Sequence, residues 1–168
     1  SVIVVQHLAP DNRSILPEIL QRYTELPVTQ IQETTEIEAN HVYVIPPNYD
    51  IGVKSNELHL FEPGAPRGFR LPVDFLFRSL AENFGSQAVG IVLSGTGSDG
   101  TLGIKAIKGA GGLTIVQNPD TTKFTGMPLS AIHTGLVDHI VDVDAMPNIV
   151  QHYFENNRFI DLETVQPE

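Results

Sequence analysis

The 168-residue sequence has no cysteine, few basic residues and no long hydrophobic run. The lack of cysteine excludes disulfides and thiolate catalysis and favours a reducing compartment, so we expect a cytoplasmic protein. Crossing a membrane takes about 20 apolar residues in succession, and no segment approaches that length, so we expect no membrane insertion. With 10 lysine and arginine residues against 20 acidic ones, the net charge of −10 argues against nucleic acid as a partner.

Short β-branched segments and amphipathic segments alternate along the chain. The first kind predicts buried strands at residues 2–5, 88–93, 113–116 and 137–141. The second kind has helical spacing and predicts helices at residues 15–23, 73–84, 101–108, 128–134 and 145–154. Such alternation indicates a doubly wound, Rossmann-like α/β fold, in which a mostly parallel sheet has helices on both faces.

Four further short strands, separated by proline, asparagine and glycine, interrupt this alternation. They are predicted at residues 28–31, 42–45, 51–53 and 58–61, and they indicate a small β-rich insertion. The last residues of the chain are polar, acidic and only weakly periodic, which is typical of a linker or a chain end. We therefore expect one domain over residues 1–154 and a polar tail or linker over residues 155–168.

Two loops bring ionisable side chains to the predicted edge of the sheet. His7 follows the first strand, and Asp99 lies in the glycine-rich loop after the strand at residues 88–93. Ligands of open α/β sheets bind beyond the carboxyl ends of the strands, where both loops lie. An imidazole there can serve as a general base, and a carboxylate can orient it. Each residue also has a structural alternative, since His7 can be a purely structural histidine and Asp99 can cap the helix that follows it.

The loop at residues 95–100 also fits the dinucleotide-binding pattern G-x-G-x-x-G through Gly95, Gly97 and Gly100. Asp120 follows about 20 residues on, where such a fold places the acidic residue that binds the ribose. An NAD(P)-binding oxidoreductase domain is therefore an alternative function. Against it, Asp99 would bring a carboxylate close to the pyrophosphate, where like charges repel.

Five short motifs carry a family resemblance. Two of them contain the candidate residues: VVQHLAP at residues 4–10 and VLSGTGSDG at residues 92–100. The other three are HVYVIPP at residues 41–47, PVD at residues 72–74 and GMP at residues 126–128. Together and in this order, they resemble the catalytic domain of CheB-type protein-glutamate methylesterases. The segment SGTGSDGTLG at residues 94–103 is most similar to hybrid proteins in which a CheB-like domain precedes a CheR-like methyltransferase domain.

The resemblance implies a serine hydrolase that demethylates glutamyl methyl esters of chemoreceptors and deamidates certain glutamines, without a cofactor. It implies that His7 is the general base and acid, and that Asp99 orients it. It further implies that Gly95, Thr96 and Gly97 form the oxyanion and substrate loop through their backbone amides. The cytoplasmic helices of methylated chemoreceptors are the implied partners. A regulatory receiver domain or a CheR-like domain of the parent protein is a further candidate partner, and neither is contained in these residues.

The sequence departs from the family at the nucleophile. In the family the serine lies in a glycine-rich turn well before the histidine, whereas only six residues precede His7. Ser1 would lie at the far end of the same strand, about 20 Å away, and Ser98 lacks the setting of a nucleophile turn. Ser94, at a strand end, is expected to form loop hydrogen bonds. We therefore expect the serine segment to lie outside this chain, and the chain alone to be inactive.

The histidines other than His7 have no metal-ligand spacing to an acidic or cysteine partner, so no metal site is predicted. A third possible function is a non-catalytic module that keeps the same fold and binds a receptor or a partner domain. It predicts receptor binding without turnover, which separates it from the esterase and from the oxidoreductase.

Overall fold

The computed structural model describes residues 1–7, 14–66 and 68–163. Its strands are β1 (Val2–Val4), β2 (Val28–Gln30), β3 (Thr35–Glu36), β4 (Val42–Val44), β5 (Asp50–Lys54), β6 (Glu57–Phe61), β7 (Val89–Val92), β8 (Leu113–Gln117) and β9 (His139–Val141). Its helices are α1 (Leu16–Gln21), α2 (Pro72–Phe84), α3 (Thr101–Gly109), α4 (Gly126–Ile132) and α5 (Met146–Glu163). Each strand and helix that the sequence predicts is present. Residues 8–10 of the first motif lie outside the described part of the chain.

A parallel sheet of three strands carries the loop with His7. Its strand order is β1-β4-β2, and both pairs are parallel. All three residues of the central strand β4 are buried, as expected of a parallel strand that is covered on both faces. The prediction that β2 and β4 belong to the β-rich insertion is therefore wrong. β4 pairs with both β1 and β2, and neither β2 nor β4 forms a ladder with another strand of the described residues.

The insertion itself is a small antiparallel sheet with the strand order β3-β6-β5. The turn between β5 and β6 has Ser55 and Asn56 at positive φ, the conformation that a two-residue type I′ hairpin turn requires. Two hydrogen bonds attach β5 to α2: the Val53 N–H donates to Ser79 Oγ, and Asn83 Nδ2 donates to the Val53 carbonyl. The insertion therefore holds α2 in place from one side.

The second parallel sheet has the strand order β7-β8-β9. Successive side chains of β8 point to opposite faces. Val116 joins the core that contains residues of α2 and α3, whereas Leu113 and Ile115 pack with α5. The sheet thus has helices on both faces, as predicted. No ladder among the described residues joins β1 to β7, so the parallel strands form two sheets where the sequence indicated one.

Two glycines let α2 lie close to its neighbours. A Cβ at Gly103 of α3 would lie 2.6 Å from Phe77 Cβ, and a Cβ at Gly90 of β7 would lie 3.0 Å from the Phe77 ring. Phe77 is 7% exposed and belongs to the main core. Since neither glycine has a side chain, the ring of Phe77 packs directly against the backbone of both elements. The N-terminal ends of α2 and α3 meet beside the loop that contains Asp99.

The last helix is longer than the sequence indicated. α5 continues through Glu163, so the first nine residues of the predicted tail or linker at residues 155–168 are helical. Residues 164–168 lie outside the described part of the chain. No helix of the described residues is both long enough and apolar enough to cross a membrane. The domain boundary at residue 154 stays a prediction.

Candidate active site

The structure brings His7 and Asp99 together from two different sheets. His7 follows β1, and Asp99 lies just before α3, yet His7 Nε2 and Asp99 Oδ2 are 2.7 Å apart. The Asp99 side chain is 3% exposed and the His7 side chain 47% exposed. Among the described residues, the other ring nitrogen of His7, Nδ1, has no hydrogen-bond partner. A buried carboxylate that holds one nitrogen leaves the second nitrogen for a reacting group.

Backbone N–H groups fix the Asp99 carboxylate. The N–H groups of Val73 and Asp74, in the first turn of α2, donate to it at 3.0 and 2.9 Å, and the Gly100 N–H donates at 2.9 Å. Leu71, which precedes α2, provides no side-chain cap. Asp99 therefore caps α2, not the following helix, while it also holds His7. The N–H groups and the positive end of the α2 dipole stabilise its negative charge.

Asp74 makes the reciprocal contact. It lies in the first turn of α2, is 2% exposed, and its Oδ1 accepts the N–H of Gly103 from the first turn of α3 at 2.6 Å. Burial raises the pKa of Asp74, the Gly103 N–H opposes this rise, and the charge of Asp99 adds to it. Asp99, which precedes α3, thus caps α2, and Asp74, in the first turn of α2, caps α3.

This contact provides a physical argument against the dinucleotide-binding alternative. A pyrophosphate bound at the glycine-rich loop accepts hydrogen bonds from free N–H groups at the N-terminus of the next helix, here α3. The Gly103 N–H of that turn already bonds a buried carboxylate. The loop glycines have a local purpose instead, since Gly97 and Gly100 adopt φ values of +82° and +93°, which disfavour other residues. Asp120 lies in a separate short turn after β8.

The environment of His7 favours its protonated form. The hydrogen bond to Asp99 raises the pKa of His7 above its ordinary value of 6.5, partial burial lowers it, and the charge of Asp99 raises it further. A general base becomes a cation when it accepts a proton, so stabilising that cation assists the proton transfer. The arrangement can therefore support general acid and base catalysis.

Helix α4 supports the glycine-rich loop. The Gly95 N–H donates to the Phe124 carbonyl at 3.0 Å, and the Met127 N–H donates to the Gly95 carbonyl at 2.9 Å. Because the Gly95 N–H is used in this way, the amides of the exposed residues Thr96 and Gly97 are the candidates for binding an oxyanion. The motif at residues 126–128 thus has a structural purpose, which is to hold this loop.

We expect Gly126→Ala to displace the loop. A Cβ at Gly126, the first residue of α4, would lie 2.8 Å from the Gly97 nitrogen and 3.0 Å from the Gly97 oxygen, so backbone must shift. Overpacking of this kind lowers the free energy of unfolding by about 1–3 kcal/mol, which denaturant unfolding measures. Gly109→Ala is the matched control, because Gly109 ends α3 and nothing lies within 4 Å of its Cβ. Equal stability of the two variants would contradict the prediction.

A pocket opens beside His7. It is lined by residues 6–7 after β1, by residues 46–49 between β4 and β5, by Asp50 at the start of β5, by Arg70 just before α2, and by Pro72 at the start of α2. Burial raises the pKa of Asp50, the charge of Arg70 lowers it, and the charge of Asp99 raises it further. The prolines of the motifs at residues 41–47 and 72–74 therefore form walls of the space in front of the imidazole.

Sequence reasoning missed three residues of this site. Asp74 and Gly126 lie within motifs that carried the family resemblance, but their spacing gave no indication of a contact with Asp99 or Gly97. Nothing in the sequence distinguishes Arg70 as a site residue from the other basic residues, of which this acidic chain has 10 in all. Of the predicted site residues, the structure brings His7 and Asp99 into contact and places Gly95, Thr96 and Gly97 in the loop that contains Asp99.

Comparison with known families agrees with this geometry. The model of the CheB methylesterase family matches residues 1–150. The chain belongs to the CheB methylesterase family. The crystal structure of the CheB methylesterase catalytic domain of Thermotoga maritima matches with a TM-score of 0.80 and 28% sequence identity, and the match covers 88% of this chain and 80% of that chain. The CheB fold therefore accounts for nearly the whole chain.

Relatives of this CheB domain differ widely in length. An uncharacterized 104.1 kDa protein of Rhodobacter capsulatus is 40% identical over 138 residues, which are 82% of this chain but 14% of that protein. A putative protein-glutamate methylesterase/protein-glutamine glutaminase of Leptospira interrogans is 31% identical over 157 residues, which are 93% of this chain and 81% of that protein. The same domain thus occurs both nearly alone and within a much larger protein.

These findings confirm the family resemblance and the α/β fold. The names of the family and of the Leptospira protein are those of methylesterases, which are carboxylic ester hydrolases. Neither the NAD(P)-binding oxidoreductase nor the non-catalytic module is supported. This CheB domain spans only 14% of the Rhodobacter relative, so the activity, substrates and partners of the whole protein are proposals.

Proposed function

We propose that this CheB domain hydrolyses glutamyl methyl esters on chemoreceptor helices and deamidates glutamines there, with His7 and Asp99 as two members of a Ser-His-Asp triad. The observation that carries the proposal is the 2.7 Å contact between His7 Nε2 and the Asp99 carboxylate. That carboxylate is buried, and backbone N–H groups fix its direction. The names of relatives such as the Leptospira protein support both reactions.

In the proposed reaction, His7 acts first as a base and then as an acid. Its Nδ1 takes the proton of the serine hydroxyl while the serine Oγ bonds to the γ-carbonyl carbon, and Asp99 stabilises the imidazolium that forms. The amides of Thr96 and Gly97 hold the oxyanion. The imidazolium then protonates the departing methoxide, and methanol leaves. Water, activated by His7, hydrolyses the acyl-serine to the glutamate carboxylate, and a γ-amide follows the same route with loss of ammonia.

The proposed nucleophile is a serine outside residues 1–168. In the described part of the chain, no serine hydroxyl forms a hydrogen bond with the His7 ring. The hydroxyl of Ser94 instead accepts the Phe124 N–H at 3.0 Å, which agrees with the expected loop role. Ser130 Oγ donates to the Gly97 carbonyl, so this serine supports the glycine-rich loop.

Methanol release from methylated receptor tests the proposal. The complete gene product should release methanol, and His7→Ala should lower turnover by about 10⁴-fold or more, as loss of a triad member does. Residues 1–168 alone should release none. His41→Ala is the matched control, because His41 bonds to Thr29 on the first sheet and does not line the pocket. No turnover by the folded complete protein, or full turnover by His7→Ala, would refute the proposed function.

The proposed partners are the cytoplasmic helices of methylated chemoreceptors, which would meet the pocket beside His7 in the cytoplasm. A parent protein that also contains a CheR-like methyltransferase or a receiver domain belongs to the same proposal. The 104.1 kDa relative supports it only in showing that such a domain can be part of a longer protein. We further propose that the catalytic domain ends near residue 154 and that residues 155–168 are a tail or linker.

A further inference from the structure

Asp74 is a buried carboxylate to which the proposed reaction assigns no role. Its own N–H donates to Asp99 Oδ1 at 2.9 Å, and its Oδ1 accepts the Gly103 N–H at 2.6 Å. These bonds form a continuous path from the first turn of α3, through the first turn of α2, to the carboxylate that holds His7. Any shift of Asp74 therefore moves a donor of Asp99.

Capping alone does not require a carboxylate at this position. A neutral oxygen from asparagine or serine caps a helix N-terminus about as well as aspartate does. A carboxylate that is 2% exposed and lies beside Asp99 meets both desolvation and like-charge repulsion. Arg78, one turn further along α2, offsets only part of this cost. A carboxyl group in so unfavourable a place points to a role in the His7–Asp99 pair.

We propose that Asp74 is a positioning residue that acts through Asp99. It fixes the Asp99 carboxylate in the direction of His7 Nε2, and its negative charge lies behind the pair, where it strengthens the attraction for the imidazolium. The inference deepens the proposed function and rests on it for any effect on turnover. The His7–Asp99 pair itself is measurable without a substrate, so the two ideas can fail separately.

An NMR titration of the His7 ring in the full chain is the primary test. Asp99 faces His7 directly, and Asp50 and Arg70 face it across the pocket; all three stay unchanged in the variants. Asp74→Asn should lower the pKa of His7, because it removes a negative charge but keeps an oxygen for the Gly103 N–H. Asp74→Ala should lower the pKa of His7 further, because the donors to Asp99 then shift as well.

Asp138→Asn is the matched control for general destabilisation. Asp138 also accepts a backbone N–H, that of Thr114 at 3.0 Å, and it pairs with Lys108 away from the pocket. Its substitution should leave the pKa of His7 unchanged. An equal fall of that pKa in Asp138→Asn would assign the effect to lost stability and overturn the proposal. If Asp74→Ala does not fold, Asp74→Asn carries the test.

Turnover of the complete gene product supplies the second readout. Misplacing a catalytic group by about 1 Å costs about 10²-fold, so Asp74→Ala should lower kcat by that order while KM changes little. An unchanged pKa of His7 in a folded Asp74→Asn protein overturns the positioning role, whatever the turnover. If the wild-type complete protein has no esterase activity but Asp74→Asn still lowers the pKa of His7, the proposed function is refuted and the role of Asp74 is supported.

Discussion

Replacing Asp99 by asparagine will lower methyl ester hydrolysis by the complete protein about 10⁴-fold, the size of effect known for a triad aspartate. Asparagine can keep an oxygen toward the Asp74 and Gly100 N–H groups, which bond Oδ1. Its amide nitrogen then takes the place of Oδ2 and donates to His7 Nε2. The proton of the neutral imidazole is thereby moved to Nδ1, which can no longer accept a proton from the nucleophile.

The same variant should change the pH dependence of stability. The pKa of His7 is raised in the folded protein by the Asp99 hydrogen bond, so the pair contributes stability that is complete below the unfolded value of 6.5. This contribution is lost as the pH rises through the folded-state pKa. The stability difference between wild type and Asp99→Asn should therefore be largest below pH 6.5 and become smaller above the folded-state pKa.

Asp142→Asn is the control for the Asp99 prediction. Asp142 is an exposed aspartate whose Oδ1 accepts only the side-chain amide of Asn118 among the described residues. Its substitution should change neither turnover nor the titration of His7. Less than a tenfold loss of turnover in Asp99→Asn would show that the aspartate does not select the tautomer of His7.

Replacing Phe77 by alanine will cause the largest loss of stability, about 3–5 kcal/mol. Its ring fills the space over Gly90 and Gly103, and neither glycine has a side chain that could occupy the cavity. A loss of this size is a large share of the 5–15 kcal/mol that stabilises a typical domain. Denaturant unfolding measures it, and the position of α2 relative to α3 should become less well defined.

Phe69→Ala is the matched control, because Phe69 is 77% exposed and should lose less than about 0.5 kcal/mol. Phe77→Leu keeps most of the buried volume and remains measurable if the alanine variant does not fold. A cost of less than about 1 kcal/mol for Phe77→Ala would mean that the α2–α3 contact relaxes without a cavity, contrary to the close approach at Gly103.

The strands and helices of this fold are predictable because they depend on local patterns. β8 is a short, fully buried segment rich in apolar residues, α3 shows helical spacing within a few residues, and a glycine directly precedes each. The pairing of the strands depends less on local sequence. β2 and β4 look like members of an insertion because the strands after them belong to one, yet they pair in parallel within the sheet of β1. Periodicity describes which face of a strand is buried and does not specify which neighbour it joins.

The candidate site, too, could be predicted only in part from the sequence. His7 and Asp99 could be paired before the structure was known, because each follows the carboxyl end of a strand, where ligands of open α/β sheets bind. That the two strands belong to different sheets could not be foreseen. Asp74 could not be added, since an aspartate in the first turn of a helix is common for reasons that concern that helix alone. Its partner, the Gly103 N–H, is 29 residues away and belongs to another helix.

The long sequence separations within the site have a consequence for folding. His7 and Asp99 are 92 residues apart, and the two reciprocal caps join residues 25 and 29 positions apart. Closing such loops costs chain entropy before the contacts can offset it. Local helix formation alone therefore cannot orient the imidazole, because the donors to Asp99 converge only when α2 and α3 have docked. The geometry of the candidate site thus depends on long-range contacts, and a chain in which α2 and α3 have not docked has a histidine and an aspartate but no pair.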